Sequence, residues 1–281
     1  MKLNILGAFP YMTEKFIASM TEAKAKRHGI LVDSGAFTAW KSGNPIEIKD
    51  YIAFIKGLPF APDHYFNLDV IGDGEQSYQN FLILLDHGLK PIPVFTRGES
   101  WSKLERYYEH TDYVALGGLV GSYEFQKYIV EAHKVIAGRK VHWLGCWSCP
   151  LIARFRPTSC DSTSWAIRPK FASTSLYTKH EFVNLSKKSI TKSLTNDRKI
   201  AIRKMGLNPE SLLIERGWRG GPGWTARQLS ARSYILNARK MEEKFGTKCF
   251  FAINASDYNY LELQANALEL LEQEKGGRLD E

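Results

Sequence analysis

The sequence predicts an α/β fold, namely a (β/α)8 TIM-like barrel with a basic insertion between its last two strands. Short β-rich runs alternate strictly with helix-like segments through the first half of the chain, which is typical of a parallel sheet. Eight such runs are present, and one long helical segment follows the last of them, as a closed barrel requires. The length of 281 residues suits a single barrel domain, which typically needs about 250.

The predicted elements follow one another with short connections. Between the first six strands, apolar residues recur at helical spacing, as Tyr51, Phe54, Ile55 and Leu58 do. The stretch 166–235 breaks the alternation, and we interpret it as a basic elaboration of one domain spanning 1–281. An open doubly wound sheet is the alternative, although LGAFPYM after the first strand lacks the Gly-rich phosphate loop of that fold. The predicted strands are 3–9, 29–35, 64–70, 90–95, 113–119, 140–145, 158–165 and 249–254.

The composition is that of a globular chain, since 44% hydrophobic residues exclude wholesale disorder. No apolar run approaches the ~20 residues that span a bilayer, so we expect no membrane partner. The N-terminal MKLNILGAFPYMTEKF lacks a cleavage-site pattern and is interpreted as a first strand rather than a signal peptide. Four cysteines are too few for a disulfide scaffold, which favours a reducing, cytoplasmic location.

Basic residues concentrate in one stretch. Between Arg168 and Lys204 stand ten basic and two acidic side chains, so this block alone equals the net charge of +8 of the chain. Such a block predicts a polyanionic partner, the alternative being a solvated helical face. The segment RGWRGGPGW (216–224) is either a clamp whose tryptophans stack on bases or a surface loop whose tryptophans fold inward. The predicted nucleic-acid contacts are Arg168, Lys170, Lys187, Lys188, Lys192, Arg198, Lys199, Arg216 and Arg219.

Candidate site residues follow from the strand list, because active sites of β/α barrels lie at the carboxyl ends of the strands. A helix N-cap is the commoner explanation for each aspartate there when it is taken alone. Three of them beside glycine turns predict a shared site. The set is Asp33 and Phe37 after strand two, Asp69 after strand three, Arg97 after strand four, Gly117, Gly118 and Leu119 after strand five, Gly145 after strand six, and Asp161 in strand seven.

Five of these strand ends carry short motifs: VDSGAF, FNLDV, YVALGGLVG, VHWLG and SCDSTSW, in that order over residues 29–165. Together they resemble the strand ends of the tRNA-guanine transglycosylase superfamily. VDSGAF resembles its DSGG-aromatic motif, and FNLDV resembles the strand with its base-reading aspartate. SCDSTSW stands where the family has its nucleophile segment. The nearest likeness is to the DNA 7-deazaguanine transglycosylases of phages and bacteria. If the protein is encoded by a phage, the resemblance implies that it works in the cytoplasm of the host.

The resemblance implies a pentosyltransferase and assigns roles to the matched positions. Asp161 would be the nucleophile that attacks the sugar C1′ and displaces guanine, and Asp33 would be the general acid/base. The implied base contacts are Phe37 by stacking, Asp69 at the N1–H and 2-amino edge, and Gly118 and Leu119 at the 6-oxo side and the 7-substituent. The chemistry fits, because one carboxylate captures oxocarbenium-like charge while another group moves the leaving-group proton. It requires no redox or metal cofactor.

The sequence departs from the enzymes that act on tRNA. It lacks their C-terminal Cys3His zinc motif, since only Cys249 stands there, and it has Thr96 or Arg97 where they have a base-binding glutamine. It also lacks the Pro-Thr-Arg after the nucleophile. These departures favour DNA as the substrate, with tRNA as the alternative nucleic acid. The second partner is then a free 7-deazaguanine base such as preQ0.

Other interpretations use the same residues. A barrel nucleosidase or glycosidase with two aspartates would act on a small substrate, but it has no need of the basic block. A nucleic-acid binder without catalysis would have no need of Asp33 and Asp161. His142, Cys146 and Cys149, with Cys160 further on, form a candidate structural zinc half-site, the alternative being thiols that only pack.

Overall fold

The computed structural model describes residues 1–120, 124–219 and 224–279. The chain divides into two compact units. The sheet unit comprises Lys2–Ser162 and Gly246–Ser256, and the basic unit comprises Met1, Thr163–Phe245 and Asp257–Glu281. The assignment of the whole chain to one barrel domain with an elaboration at 166–235 stays a prediction.

Ten strands lie within the described residues: β1 (Asn4–Ala8), β2 (Gly29–Asp33), β3 (His64–Tyr65), β4 (Val94–Thr96), β5 (Tyr113–Gly117), β6 (Lys140–Trp143), β7 (Ser159–Ser162), β8 (Ser173–Tyr177), β9 (Phe182–Ser186) and β10 (Lys248–Ile253). Eight of them form one sheet in the order β3-β2-β1-β10-β7-β6-β5-β4, and each neighbouring pair is parallel. Each of these eight overlaps one predicted strand, although β3 has two residues where seven, 64–70, were predicted. The α/β class and the curled, eight-stranded parallel sheet are therefore confirmed.

Two segments beside the edge strands also pair. Phe66 follows β3 and forms an isolated parallel bridge with Ile92, which precedes β4. The Asn67 N–H donates to the Ile92 carbonyl at 3.0 Å, and the Ile92 N–H donates to the Tyr65 carbonyl at 2.8 Å. The Asn67 amide oxygen then accepts from the Val94 N–H at 2.9 Å. Residues in and beside β3 are thus hydrogen-bonded to residues in and beside β4.

Helices connect the strands, as the periodic segments predict. In the described part of the chain they are α1 (Glu14–Ala25), α2 (Ala36–Ser42), α3 (Ile48–Gly57), α4 (Gly74–Asp86), α5 (Trp101–Tyr108), α6 (Phe125–Ile136), α7 (Cys149–Phe155), α8 (Ser164–Lys170), α9 (Ile190–Ser193), α10 (Asn196–Lys204), α11 (Thr225–Phe245) and α12 (Asp257–Lys275). Thr13 caps α1 by accepting from the Phe16 N–H, and Asp73 caps α4 by accepting from the Gln76 N–H. None of these helices combines the length and the apolar content that crossing a bilayer requires.

One face of the sheet builds one core cluster of the sheet unit. It consists of the buried residues Leu6, Leu31, Phe66, Ile92, Val94, Tyr113, Ala115 and Phe250. Side chains alternate between the two faces along a strand, so a residue two positions further on shares the face of a core residue. Asp33 follows Leu31, Thr96 follows Val94, and the backbone of Gly117 follows Ala115 in this way. The core thereby decides which residues face inward at the carboxyl ends.

The basic unit contains regular structure that the sequence patterns do not predict. β8 and β9 pair antiparallel as a hairpin. The Thr174 hydroxyl of β8 donates to the Ala226 carbonyl of α11 at 2.6 Å. The buried Arg232 of α11 donates to the Gln264 side chain of α12 at 2.8 Å. Much of the stretch 166–235 is therefore ordered around one long helix.

Candidate active site at the carboxyl ends of the strands

Asp33 and Asp161 both stand where the sheet presents inward-facing side chains. Asp33 is the last residue of β2, two positions after the core residue Leu31. Asp161 lies in β7, two positions after Ser159, which bonds to the core residue Tyr113. Asp33 has the charge of Asp161 close enough to raise its pKa. The two carboxyl groups therefore belong to one electrostatic environment.

Asp161 is buried, and one of its two carboxyl oxygens is fixed. Oδ1 accepts from the Gly145 N–H at 2.8 Å and lies 3.1 Å from Nε2 of His142. Gly145 reaches this position with a φ of +68°, the left-handed conformation that glycine adopts without strain. Both of these side-chain contacts lie on Oδ1. Oδ2 takes part in neither of them.

The surroundings of Asp33 bring the pKa of its carboxyl group close to neutrality. Its pKa is raised from 3.8 to about 7, first because burial disfavours its charge and then because Asp69 and Asp161 are negative neighbours. Backbone hydrogen bonds at Gly35 and Ser34 oppose this rise. A carboxyl group with a pKa near 7 exchanges protons readily at neutral pH.

Asp69 is linked to Asp33 through Ser34. Burial raises the pKa of Asp69 to about 6, and the charge of Glu99 adds to this. The Ser34 hydroxyl donates to Asp69 Oδ1 at 3.3 Å and accepts from the Ala36 N–H at 3.3 Å. The turn after β2 thus ties the first residues of α2 to the carboxylate that follows β3.

Two exposed aromatic residues flank this turn. Phe37 is 62% exposed and Trp40 is 60% exposed, with ring centroids 5.8 Å apart. Trp40 also lines a pocket of about 280 Å³ that is mostly apolar and includes Leu68, Asp69 and Asn80. Large exposed aromatics beside a polar group are suited to stacking on a flat ligand. Phe37 is among the predicted site residues, whereas Trp40 is not.

The remaining predicted base contacts lie at the ends of β4 and β5. Gly118 has a φ of +73°, and a side chain there would meet Cβ of Arg97 at 3.0 Å, so these two residues are neighbours. Gly117 and Leu119 are buried, and Arg97 is exposed. Arg97 lines a hollow of about 310 Å³ together with Glu99, Trp101 and Tyr128 among others. Their contact with a base stays a prediction.

The predicted nucleic-acid contacts lie in the basic unit and differ in their availability. Lys187 is ion-paired with Glu215, and Arg198 with Glu181 at 2.8 Å. Lys199 and Arg219 lie 3.9 Å from Glu210 and Glu215 respectively. Arg168 is partly buried and bonds to the Tyr234 hydroxyl. Among these predicted contacts, four are exposed and have no ion pair within the described residues: Lys170, Lys188, Lys192 and Arg216.

For the segment RGWRGGPGW, the structure decides between the two interpretations at one of its two tryptophans. Trp218 is 1% exposed, and its indole N–H donates to the Leu212 carbonyl at 2.6 Å. Stacking of Trp218 on a nucleic-acid base was one alternative, and it is wrong because the ring is buried. Trp224 is partly exposed, and residues 220–223 lie outside the described residues.

The candidate zinc half-site has competing bonds. Both ring nitrogens of His142 have protein partners, Ser159 and Asp161. Sγ of Cys160 lies 3.6 Å from Sγ of Cys249, and burial raises the pKa of Cys146 to about 12. The described residues contain no cluster of three or more metal-ligating side chains. The alternative of packing thiols fits these contacts.

Gly35 offers a test of how the turn holds Asp33. Its φ is +78°, and a Cβ there would lie 2.2 Å from Cδ of Pro10, whereas Gly43 at the other end of α2 has a φ of +72° and open space. We expect Gly43→Ala to lower the free energy of unfolding by about 1 kcal/mol from backbone strain alone, and Gly35→Ala by about 2–4 kcal/mol. Urea titrations of both variants measure this. Equal losses would refute a close approach at Gly35.

The raised pKa of Asp33 predicts a pH-dependent stability. Between its unfolded value of 3.8 and its folded value of about 7 the folded state binds more protons, so stability falls as pH rises through this window. Asp33→Asn removes this loss. We expect the variant to gain about 1–3 kcal/mol over wild type at pH 8 relative to pH 4, since one pKa unit is worth about 1.4 kcal/mol and exposure screens part of it.

The measurement is urea unfolding of both proteins at pH 4 and pH 8. Asp197→Asn, at an exposed position in α10, is the matched control and should show the same difference from wild type at both pH values. A gain that is equal at pH 4 and pH 8 would contradict the raised pKa.

No protein-family model matches this chain, and no curated protein has a sequence that matches it. Three side-chain features of the site remain as the basis for a function: a buried carboxyl group fixed through one oxygen, a second carboxyl group with a pKa near neutrality, and a third that lines a mostly apolar pocket with Trp40.

Proposed function

We propose that this chain is a base-exchanging glycosyltransferase that replaces guanine in a nucleic acid, in the first place DNA, with a 7-deazaguanine base of the preQ0 type. The observation that carries the proposal is the contrast between two carboxyl groups of one site. Asp161 receives two hydrogen bonds on one oxygen, while Asp33 has a pKa of about 7. Groups held in such different environments are suited to the separate roles of nucleophile and acid/base.

The exchange then has two balanced halves. Oδ2 of Asp161 attacks C1′, the C1′–N9 bond breaks, and its electron pair leaves with guanine, which takes the proton of Asp33. A covalent aspartyl-glycosyl intermediate remains. The incoming base then gives its N9 proton to the Asp33 carboxylate, N9 attacks C1′, and Asp161 is released. One group serves as acid and then as base, as in retaining glycosidases.

Base selection rests on Asp69 and the aromatic residues. A carboxylate that accepts from N1–H and the 2-amino group distinguishes guanine from adenine, which offers an acceptor at N1. Asp69 lines the apolar pocket of about 280 Å³ that Trp40 also lines. Stacking on Phe37 or Trp40 would hold the base once it has left the helix, because a base inside a duplex is out of reach.

We infer that the curled sheet closes as a (β/α)8 barrel. The support is the bridge between Phe66 and Ile92, which lies beside the two edge strands β3 and β4. The two backbone hydrogen bonds around it, at 3.0 and 2.8 Å, are of the parallel type. Closure places the carboxyl ends of β2 and β7 around one opening, where barrel enzymes carry their active sites.

The first test of the function uses the nucleophile. Wild-type protein incubated with preQ0 and guanine-containing DNA is expected to yield the 7-deazaguanine deoxynucleoside, detected by mass spectrometry after digestion. Asp161→Asn, which keeps an amide oxygen as acceptor for Gly145, should reduce this by at least about 10³-fold, the order of loss on removing a nucleophile. Without incoming base, wild type should form a covalent adduct with DNA that survives denaturation.

The control is Asp197→Asn, which removes an exposed carboxylate of the basic unit and should leave exchange unchanged. The same reactions with tRNA and with free deoxyguanosine separate the alternatives. Exchange in tRNA alone would replace DNA as the substrate, and hydrolysis of free deoxyguanosine without exchange would point to a nucleosidase. Exchange by Asp161→Asn at the wild-type rate would refute the proposed nucleophile.

The second test concerns the basic unit. Lys188 and Lys192 are exposed and have no ion pair among the described residues. Their joint charge reversal to Glu is expected to weaken DNA binding and to reduce the slope of log K against log salt by about 2, since each phosphate contact contributes about 0.9. Lys15→Glu with Lys134→Glu, two exposed lysines of the sheet unit, makes the same charge change. Fluorescence anisotropy in a salt series measures both, and equal slopes would remove Lys188 and Lys192 from the interface.

A further inference from the structure

A histidine lies in the core of the sheet unit, where an ionisable ring is unusual. His142 is 0% exposed and stands in β6. Its ring packs against Phe66, with centroids 4.9 Å apart, and against Phe250 at 6.4 Å. This packing restricts the rotation of the ring. Full burial also means that His142 acts on anything in the site only through a neighbour.

His142 belongs to a chain of hydrogen bonds that crosses the interior of the sheet. The Tyr113 hydroxyl of β5 lies 2.6 Å from the Ser159 hydroxyl of β7. The Ser159 hydroxyl is bonded in turn to Nδ1 of His142. On the other side of the ring, Nε2 lies 3.1 Å from Oδ1 of Asp161. The chain therefore runs from a core tyrosine to the proposed nucleophile.

The carboxylate at one end sets the direction of these bonds. A neutral imidazole has one donor and one acceptor nitrogen, and a carboxylate only accepts. Nε2 must therefore carry the proton that faces Asp161, which leaves Nδ1 to accept from the Ser159 hydroxyl. Ser159 then accepts from Tyr113, which stays a donor because burial raises its pKa to about 12. The reverse order would place two acceptors against each other at Asp161.

We propose that His142 is a positioning residue that donates its Nε2–H to Oδ1 of Asp161, with Nδ1 accepting from Ser159 at the end of the chain that begins at Tyr113. The proposal rests on the proposed function in that it takes Asp161 as the nucleophile. The Gly145 N–H and His142 both hold Oδ1, so the carboxylate cannot rotate and Oδ2 is presented to the anomeric carbon. A third group that orients a reacting group in this way recurs in enzymes with activated nucleophiles.

The first experiment reads the tautomer and needs no activity. In protein labelled with 15N-histidine, the His142 ring is assigned among the 7 histidines by the signals that His142→Gln removes. At pH 7.5 we expect long-range 15N–1H correlations to show a proton on Nε2. A proton on Nδ1 alone would overturn the proposal. Asp161→Ala should allow both tautomers, because the acceptor that faces Nε2 is gone and the Ser159 hydroxyl can donate or accept.

The second experiment compares two amides at position 142. The Gln side chain carries its N–H near the place of Nε2 and reaches Asp161, whereas the shorter Asn reaches only Ser159. His142→Asn is expected to lower kcat of base exchange about 10- to 100-fold, the effect of losing one hydrogen bond to a charged group. His142→Gln should stay within about threefold of wild type. KM for the incoming base should not change in either variant.

Equal loss of kcat in the two amide variants would overturn the positioning role, because both lose the packing of the ring and only one loses the donor. Thermal unfolding of both variants controls for folding. Should neither fold, Tyr113→Phe removes one hydroxyl from the far end of the chain, and an unchanged Nδ1 15N signal of His142 in that variant would refute the chain. Absence of base exchange in wild type would refute the proposed function, while the tautomer would still decide this inference.

Discussion

The alternation of side chains along parallel strands constrains the whole candidate site. The face of β2 that buries Leu31 is the face that presents Asp33, and the face of β7 that turns Ser159 inward also presents Asp161. The core residues and the site residues of these strands therefore lie on one face of the sheet, with the site residues two positions nearer the carboxyl ends. A shift of one residue in either strand would turn the carboxyl group outward. The register that packs the core thus also assembles the chemistry.

That shared surface has an electrostatic cost. Carboxyl groups that follow a buried core are themselves partly removed from water, and burial is the largest cause of the raised pKa values of Asp33 and Asp69. Even Tyr51, which donates to the Phe66 carbonyl at 2.7 Å, has its pKa raised by burial and by Asp33. The acidic groups of the site are accommodated in different ways. The raised pKa of Asp33 lets its carboxyl group keep a proton near neutral pH, whereas Oδ1 of Asp161 has two hydrogen-bond partners. Function commonly opposes stability in such places.

The sequence predicts the eight strands and the carboxyl groups at their ends because both depend on local patterns. β-rich runs, helical periodicity and glycine turns are readable over a few residues. The chain from Tyr113 through Ser159 to His142 is not readable, since it depends on how three successive strands, separated in sequence by helices, align in the sheet. Spacing to Cys146 suggested a zinc ligand instead. The sequence patterns also did not predict that the ring of Trp218 is buried or that Lys187 is ion-paired with Glu215, because tertiary contacts decide both.

A polyanionic substrate and a cluster of carboxyl groups repel each other, so the energy of binding must come from cations outside the site. The basic excess of the chain lies in the basic unit, but Lys187 and Arg198 are ion-paired with glutamates of that unit. The cations left for phosphate are fewer than composition suggests. In the proposed function, phosphate contacts carry no base sequence, whereas Asp69 and the aromatic residues would read the base alone. Affinity and selectivity would then come from different residues, and the acidic site would need to recognise only one base at a time.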